Sequence, residues 1–176
     1  MQLILIRHAP AYDKKQFAKT SKNDALRPLT EEGRKVITKV ASNLKKIIPH
    51  FDVLATSPWT RAKETAEILS RFYDAKMTQT NELIPNKNFA SFLKWVASLN
   101  TKNKSKKDKF VVACVGHEPH LSKLAGFLLT GQKKSFVEFK KAGVCVMELK
   151  KIKPGKATLQ LLLPPISSPS PSRGEG

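Results

Sequence analysis

The stretch Leu3-Ile4-Leu5-Ile6-Arg7-His8-Ala9-Pro10 decides the fold of this chain. Four consecutive aliphatic residues predict a strand that is buried on both faces, because a half-exposed strand alternates apolar and polar side chains. Such strands are typical of parallel sheets that helices cover on both sides. Arg7 and His8 would then stand at the carboxyl end of the strand, where open α/β sheets form ligand crevices. The alternative is a surface pair that only caps the strand.

The composition is that of a globular protein with a strong positive charge. The chain has 176 residues, of which 40% are hydrophobic, and this suits one domain with a sizeable core. A formal net charge of +18 would attract phosphorylated, nucleic-acid or acidic protein partners. Cys114 and Cys145 both lie in apolar runs, so we expect reduced core residues and a cytoplasmic protein. No signal peptide and no membrane-spanning stretch is predicted.

Two further strand ends are predicted to carry functional side chains. Residues 53–55 form a short apolar strand, and Ser57 is predicted to cap the helix that follows it. Arg61 then falls in the first turn of that helix, where unpaired backbone N–H groups and the helix dipole favour a phosphate. Residues 76–80 predict a third strand of mixed polarity near a sheet edge. Glu82 follows it directly.

A second continuous apolar run gives His117 the same position relative to a strand as His8. Residues 110–115 predict another strand buried on both faces, and Gly116 and His117 come directly after it. The carboxyl ends of parallel strands lie at one edge of a sheet. We therefore expect five side chains to converge there: Arg7, His8, Arg61, Glu82 and His117.

The rest of the chain supplies helices, loops and two more strands. Thr30 is predicted to cap a helix that runs to Pro49, and the polar segment 12–28 before it is a candidate wall or lid of the crevice. A short helix over 89–97 precedes the lysine-rich run 100–109, which is predicted to be a solvated loop, with an anionic docking site as the alternative. The remaining predictions are a helix after His120, strands at 144–149 and 158–163, and a disordered tail at 164–176.

Two arginines and two histidines at one edge form a pocket suited to a phosphoryl group. Guanidinium groups offer forked donors that match phosphate oxygens, and a neutral imidazole nitrogen is a competent nucleophile toward phosphorus. Glu82 could protonate the leaving group if its pKa keeps it protonated. A metal site made of His8, His117, His120 and Glu82 is the alternative, but two arginines among these groups would repel the ion. Phosphate-loop, dinucleotide and zinc-spacing motifs are absent from the sequence.

Taken together, these motifs resemble the histidine phosphatase superfamily, and most of all its SixA-type phosphohistidine phosphatases. The resemblance extends from residue 2 to about residue 163, and it rests on motifs in the order that the family uses: Arg7-His8, Arg27-Pro28-Leu29-Thr30-Glu31-Glu32-Gly33, Ser57-Pro58 with Arg61, Asn81-Glu82-Leu83-Ile84-Pro85 and Gly116-His117. The family has Arg-His-Gly where this chain has Ala9 after the histidine. The resemblance implies a three-layer α/β/α sandwich with a mostly parallel sheet, phosphoglycerate mutase-like but without a lid domain, over residues 1–163.

The resemblance also implies a role for each site residue. His8 becomes phosphorylated, and Arg7, Arg61 and His117 hold the phosphoryl oxygens, without a metal or another cofactor. Glu82 is the candidate general acid. Its alternative role is a loop carboxylate that neutralises the arginines. His50 and His120 are assigned to structure or solvent.

Three classes of function stay open within this resemblance. Little room for a lid favours an open site that admits a protein side chain, so we expect phosphohistidine on a phosphotransfer or signalling protein. The alternative within enzymes is a small-molecule phosphomonoesterase. A nucleic-acid or acidic-protein binding module on the same scaffold is the alternative of another class. The lysines are spread along the chain rather than interleaved with aromatic residues, which argues against nucleic acid.

Overall fold

Six strands form one sheet at the centre of the protein. The computed structural model describes residues 1–101 and 109–165. The strands are β1 (Gln2–Arg7), β2 (Val53–Thr56), β3 (Lys76–Gln79), β4 (Val111–Gly116), β5 (Val144–Leu149) and β6 (Ala157–Leu163). Their order across the sheet is β3-β2-β4-β1-β5-β6. The two strands with continuous apolar runs, β1 and β4, are therefore neighbours in the middle.

The first four strands run parallel and the last two do not. β1 pairs with β4, β4 with β2, and β2 with β3, all in parallel. β5 is antiparallel to β1, and β6 is antiparallel to β5. The carboxyl ends of β1, β2, β3 and β4 consequently share one edge of the sheet, and that edge carries the candidate site.

Helices cover both faces of the sheet. The helices are α1 (Lys14–Phe17), α2 (Glu31–Ile47), α3 (Thr60–Ser70), α4 (Phe89–Thr101) and α5 (His120–Thr130). Ile37 of α2 and Leu69 of α3 pack with Ile4 in one apolar cluster. Phe92 of α4 and Leu124 of α5 pack with Leu5 in the other. Consecutive residues of β1 thus face opposite clusters, as they must in a strand buried on both faces. The predicted three-layer α/β/α sandwich is confirmed.

Two local predictions around the site are changed by the structure. Ser57 was expected to cap the helix after β2, but α3 begins three residues later at Thr60, with Trp59 at its cap position and no side-chain cap. The Ser57 hydroxyl instead contacts His117. The segment 12–28 is not a plain loop, since it contains α1 and a 3₁₀ turn at Asp24–Leu26.

The structure also bears on the predictions for the two cysteines, the cap of α2 and a membrane-spanning stretch. Cys114 and Cys145 are buried and unbonded, in β4 and β5. Thr30 caps α2 as predicted, with its hydroxyl oxygen accepting a hydrogen bond from the Gly33 N–H. Within the described ranges, no helix has the length and apolar character needed to cross a bilayer. Most of the lysine-rich run and of the tail, residues 102–108 and 166–176, lies outside the described residues.

Candidate active site

Three neighbouring strands deliver the central residues of the site. Arg7 is the last residue of β1 and pairs in register with Gly116, the last residue of β4. The backbone N–H of His8 donates to the Gly116 carbonyl at 3.0 Å, and that of Ser57 donates to the Val115 carbonyl at 3.0 Å. These bonds extend the sheet by one residue beyond β1 and by one residue beyond β2. His8, Ser57 and His117 are therefore held side by side at the edge.

His8 is fixed as a neutral imidazole with one free nitrogen. Its Nδ1 lies 2.8 Å from the Ala9 carbonyl oxygen, which can only accept, so Nδ1 carries the proton and Nε2 carries the lone pair. Arg61 Nε donates to that Nε2 at 3.2 Å. Burial, opposed by the Ala9 hydrogen bond and reinforced by Arg61 and Arg7, lowers the pKa of His8 to about 3. At neutral pH its Nε2 is thus unprotonated.

Arg61 is a buried cation that donates hydrogen bonds to His8 and Asp24. It is the second residue of α3 and is 4% exposed. Besides the bond to His8, its Nη1 donates to the Asp24 carbonyl at 2.8 Å and its Nη2 to the Asp24 carboxylate at 3.2 Å. The guanidinium carbon lies 4.6 Å from the centre of the Trp59 ring. Burial lowers the pKa of Arg61 to about 10, although Asp24 acts in the opposite direction, so the group stays charged at neutral pH.

His117 presents its second nitrogen without a partner. Its Nε2 lies 2.9 Å from Ser57 Oγ, and that oxygen already accepts a hydrogen bond from the Trp59 N–H at 3.3 Å. When the Ser57 hydroxyl donates to Nε2, the neutral ring of His117 carries its proton on Nδ1. This Nδ1 is buried and has no hydrogen-bond partner. Burial, with smaller contributions from His8 and Arg61, lowers the pKa of His117 to about 2.

Arg7 completes the set of donors. Its Nη1 donates to the Phe139 carbonyl at 2.6 Å, which anchors one edge of the guanidinium group. Its Nε is buried without a partner. The centres of the His8 and His117 rings are 5.2 Å apart, and Arg7 lines the same cavity as both. Such an arrangement can surround a phosphoryl group with hydrogen-bond donors.

A cavity of about 450 Å³ opens over these residues. Arg7, His8, Arg61 and His117, four of the five predicted site residues, all line it. The other residues of its wall are Tyr12, Asp13, Lys14, Asp24, Arg27, Trp59, Pro85, Glu118 and Lys141. The segment 12–28 contributes several of these side chains and so forms one wall of the crevice, as its polar sequence indicated.

Glu82 is the predicted site residue that is not brought to the cavity. Its carboxylate accepts a hydrogen bond from the Ser91 hydroxyl of α4, and it is absent from the cavity wall. Its backbone interacts with the His120 ring. Nor does Glu82 pair with an arginine in the described part of the chain, as its alternative role required. The carboxylate faces α4 because the residues after β3 form a 3₁₀ turn, Asn81–Leu83, that packs Leu83 inward.

Sequence reasoning missed two carboxylates at this edge, Glu118 and Asp24. Glu118 follows His117 directly, so its position after β4 was a usable signal. Burial raises the pKa of Glu118, against a hydrogen bond that its Oε2 accepts from Ser122 and the charge of Arg7. Its other oxygen, Oε1, is buried without a partner. Asp24 lies in a segment with no periodic pattern, and its contact with Arg61 depends on a tertiary fold that the sequence does not reveal.

The metal-site alternative finds no support in the described ranges. Among residues 1–101 and 109–165, no three histidine, cysteine or acidic side chains are grouped as metal ligands. Glu82 and His120 contact α4 residues Ser91 and Phe89, whereas His8 and His117 line the cavity. Arg61 occupies the position next to His8 where a cation would otherwise bind.

The sheet edge thus brings two arginines and two buried histidines to one cavity, an arrangement suited to a phosphoryl group. Residues 3–85 match the model of the histidine phosphatase superfamily (branch 1). An uncharacterized protein of Picosynechococcus sp. is 32% identical over 145 residues, which cover 82% of each chain. The chain therefore belongs to the histidine phosphatase superfamily.

Solved structures of phosphatases have the same fold. The protein histidine phosphatase SixA, solved with tungstate, superposes with a TM-score of 0.76 at 22% identity over 94% of this chain and 97% of its own. A phosphoserine phosphatase of Entamoeba histolytica superposes with a TM-score of 0.65 at 16% identity, over 92% of this chain and 96% of its own. Proteins named for different substrates thus share this architecture, and the fold does not select among them.

Proposed function

We propose that this protein hydrolyses phosphohistidine on another protein through a phosphorylated His8. The observation that carries the proposal is the state of His8. Its Nε2 is unprotonated and faces a cavity, its Nδ1 is locked by the Ala9 carbonyl, and Arg61 Nε lies 3.2 Å away. A buried imidazole in this state is prepared for nucleophilic attack and has no evident role in packing.

The first step transfers the phosphoryl group to the enzyme. The lone pair of His8 Nε2 forms a bond to phosphorus, and the bond from phosphorus to the substrate nitrogen breaks. The leaving imidazole keeps that electron pair and takes a proton. Once the lone pair of His8 is used, the Arg61 Nε–H loses its acceptor and becomes free to donate to a phosphoryl oxygen. Formation of the bond from His8 to phosphorus therefore also frees the Arg61 N–H to stabilise the charge on the phosphoryl oxygens.

The second step returns the enzyme to its starting state. A water oxygen attacks phosphorus, the bond to His8 Nε2 breaks, and inorganic phosphate leaves with the oxygen of that water. Arg7 Nε and His117 Nδ1, both buried without partners, would bind the equatorial oxygens in both steps. On their far sides, Phe139 anchors Arg7 and Ser57 anchors His117. These donors are therefore oriented before the substrate arrives.

Glu118 is the better placed of the two candidate proton donors. It lines the cavity, and burial raises its pKa, so a larger fraction is protonated than for an exposed glutamate. Glu82 contacts Ser91 instead. In the second step the same carboxylate, now ionised, could accept the proton of the attacking water.

The mouth of the cavity supports a protein substrate over a small one. Tyr12 and Leu26, both about half exposed, lie on the wall segment, and no insertion of the described chain covers the opening. The structural likeness to a protein named for histidine phosphatase activity supports the same assignment. A small-molecule phosphomonoesterase is the second candidate, favoured by the likeness to a phosphoserine phosphatase.

The test compares two substrates on the wild type and on His8→Ala. A histidine-phosphorylated phosphotransfer domain and p-nitrophenyl phosphate are offered in parallel, with EDTA present, and released phosphate is measured. We expect rapid release from the protein substrate, and a fall to background for His8→Ala. His50→Ala is the matched control, since the His50 side chain is 54% exposed and far from the cavity wall.

Each alternative has its own outcome in this experiment. Turnover of p-nitrophenyl phosphate with no release from the phosphoprotein would assign a small-molecule phosphatase. Full activity of His8→Ala would remove the covalent mechanism. If neither substrate turned over and the protein bound DNA with a steep dependence on salt, the binding-module interpretation would replace the enzyme.

A further inference from the structure

A second cavity, of about 320 Å³, lies beside the active site and has no part in the chemistry described above. It is lined by Asn86, Lys87, Asn88, Phe89, Pro119, His120, Lys123 and Lys133. The two cavities are direct neighbours along two stretches of chain. Pro85 lines the first and Asn86 the second, while Glu118 lines the first and Pro119 the second. A ligand that reaches the active site therefore passes next to this second cavity.

The wall of the second cavity carries positive charge and no carboxylate. Three lysines line it, Lys87, Lys123 and Lys133, and no aspartate or glutamate does. None of the three forms an ion pair with another residue of the described ranges. The catalytic cavity differs, because Asp13, Asp24 and Glu118 offset its cations. The second cavity therefore attracts anions without a carboxylate in its wall to oppose them.

The start of α5 adds positive charge to this wall, although its backbone donors are taken. α5 begins at His120 and runs for 11 residues, with Pro119 at its cap position. The N–H groups of Leu121 and Lys123 donate to the His117 and Pro119 carbonyls, and Ser122 bonds to Glu118. The helix dipole still places partial positive charge at this end, and Lys123 stands at the end of the first turn. The attraction for an anion here therefore comes from the lysine side chains and the dipole.

His120 supplies an independent sign that a ligand is missing. Its side chain is 3% exposed, and its Nε2 is buried without any hydrogen-bond partner. The ring is held by the Glu82 backbone and by Phe89, whose ring centre is 5.2 Å away. Because buried polar atoms in native proteins nearly always have partners, this nitrogen indicates a group that binds from the cavity side. A carboxylate or phosphate fits, since a nearby anion favours the protonated imidazole, which then donates from Nε2.

We propose that the second cavity binds acidic side chains of the phosphorylated protein, next to the histidine that the active site dephosphorylates. This inference rests on the proposed function. The three lysines would pair with carboxylates, His120 would donate to one of them, and Phe89 and Pro119 would contact their methylene groups. The cavity then selects protein substrates by an acidic neighbourhood that small phosphoesters lack.

The test separates docking from chemistry. The triple variant Lys87→Gln/Lys123→Gln/Lys133→Gln is compared with wild type on the histidine-phosphorylated domain and on p-nitrophenyl phosphate. We expect KM for the phosphoprotein to rise about tenfold, as for the loss of several partly exposed ion pairs. Neither kcat nor turnover of p-nitrophenyl phosphate should change by more than about twofold, because none of the three substituted lysines lines the catalytic cavity.

A matched variant controls for the loss of three charges. Lys39, Lys46 and Lys76 are exposed and lie outside both cavities, on α2 and at the amino end of β3. Their triple substitution by Gln should leave KM for the phosphoprotein near the wild-type value. Equal increases in both triple variants would assign the effect to net charge and overturn the docking site.

A binding measurement completes the test without using activity. The His120 ring is followed by NMR while a hexaglutamate peptide is added, and we expect its signals to shift in wild type and not in the lysine triple variant. Unchanged signals, with the phosphoprotein still turned over, would reject the docking site and leave the proposed function intact. If the peptide shifts the ring but wild type releases no phosphate from the protein, the substrate assignment fails instead and the cavity remains an acidic-peptide site.

Discussion

At the scale of single residues, one hydrogen bond to each ring decides which nitrogen of each histidine is available. The Ala9 carbonyl holds the proton of His8 on Nδ1, and Ser57 holds that of His117 on Nδ1 as well. Although both residues share one tautomer, their functions differ. His8 offers its Nε2 lone pair, whereas His117 offers its Nδ1–H, because opposite edges of the two rings are anchored.

The two glutamates provide a test of which carboxyl group acts as the proton donor. We expect Glu118→Gln to lower kcat on the phosphoprotein about 100-fold, the typical contribution of a general acid. The effect on p-nitrophenyl phosphate should be smaller, because nitrophenolate leaves without a proton and only the water attack of the second step then uses Glu118. Both are measured by phosphate release under saturating substrate.

Glu82→Gln is the matched control for that substitution. Its side chain contacts Ser91 and is absent from the cavity wall, so we expect kcat within about threefold of wild type on both substrates. A loss with Glu82→Gln that equals or exceeds the loss with Glu118→Gln would return the acid role to Glu82. Equal losses on both substrates with Glu118→Gln would remove the acid role and leave Glu118 with the second step or with phosphoryl binding, which both substrates share.

At the scale of elements, the first turn of α2 is packed against the chain segment that follows His8. Thr30 donates to the Pro10 carbonyl through both its N–H and its hydroxyl, at 3.1 and 3.3 Å. A Cβ atom added at Gly33 would lie 1.9 Å from the same Pro10 carbonyl oxygen and 3.2 Å from Thr30 Oγ1. Only glycine allows this helix to approach so closely.

Gly33→Ala should therefore disturb both stability and activity. We expect a loss of about 1–3 kcal/mol in the free energy of unfolding, as for overpacking of a well-filled site, measured by urea denaturation. The backbone shift at Pro10 should also lower kcat. Ser42→Ala, on an exposed position of the same helix, should stay within about 0.5 kcal/mol of wild type. Equal stability of the two variants would contradict the close packing.

The elements that sequence reasoning predicted best are those whose own residues determine them. The continuous runs of β1 and β4 specify strands buried on both faces, and their ends specify where Arg7, His8 and His117 lie. The start of α3 was placed too early, because a serine before a proline is a typical cap, while here Ser57 bonds to His117 across the sheet edge. Glu82 was placed in the site because it follows a strand, but the 3₁₀ turn after β3 redirects its side chain. Tertiary contacts of this kind leave no local pattern.

At the scale of the whole molecule, the site makes stability depend on pH. Burial holds the pKa of His8 near 3 and that of His117 near 2 in the folded protein, against about 6.5 in an unfolded chain. Between these values the unfolded chain binds protons that the folded protein does not. The free energy of unfolding is therefore fully retained above about pH 6.5 and falls as the pH drops below it. Burial lowers the pKa of His120 in the same direction, while the raised pKa of Glu118 acts in the opposite one.

Below about pH 6 the expected loss approaches about 1.4 kcal/mol per pH unit for each of the two histidines, and it is measured by urea denaturation between pH 7.5 and pH 5. Buffers must be free of phosphate and other oxyanions, because an anion bound at Arg7 and Arg61 would stabilise the folded protein. His117→Asn should remove about half of the slope due to the pair. An identical slope in His117→Asn and wild type would mean that His117 accepts a proton in the folded protein, and the neutral imidazole assigned to the site would have to be abandoned.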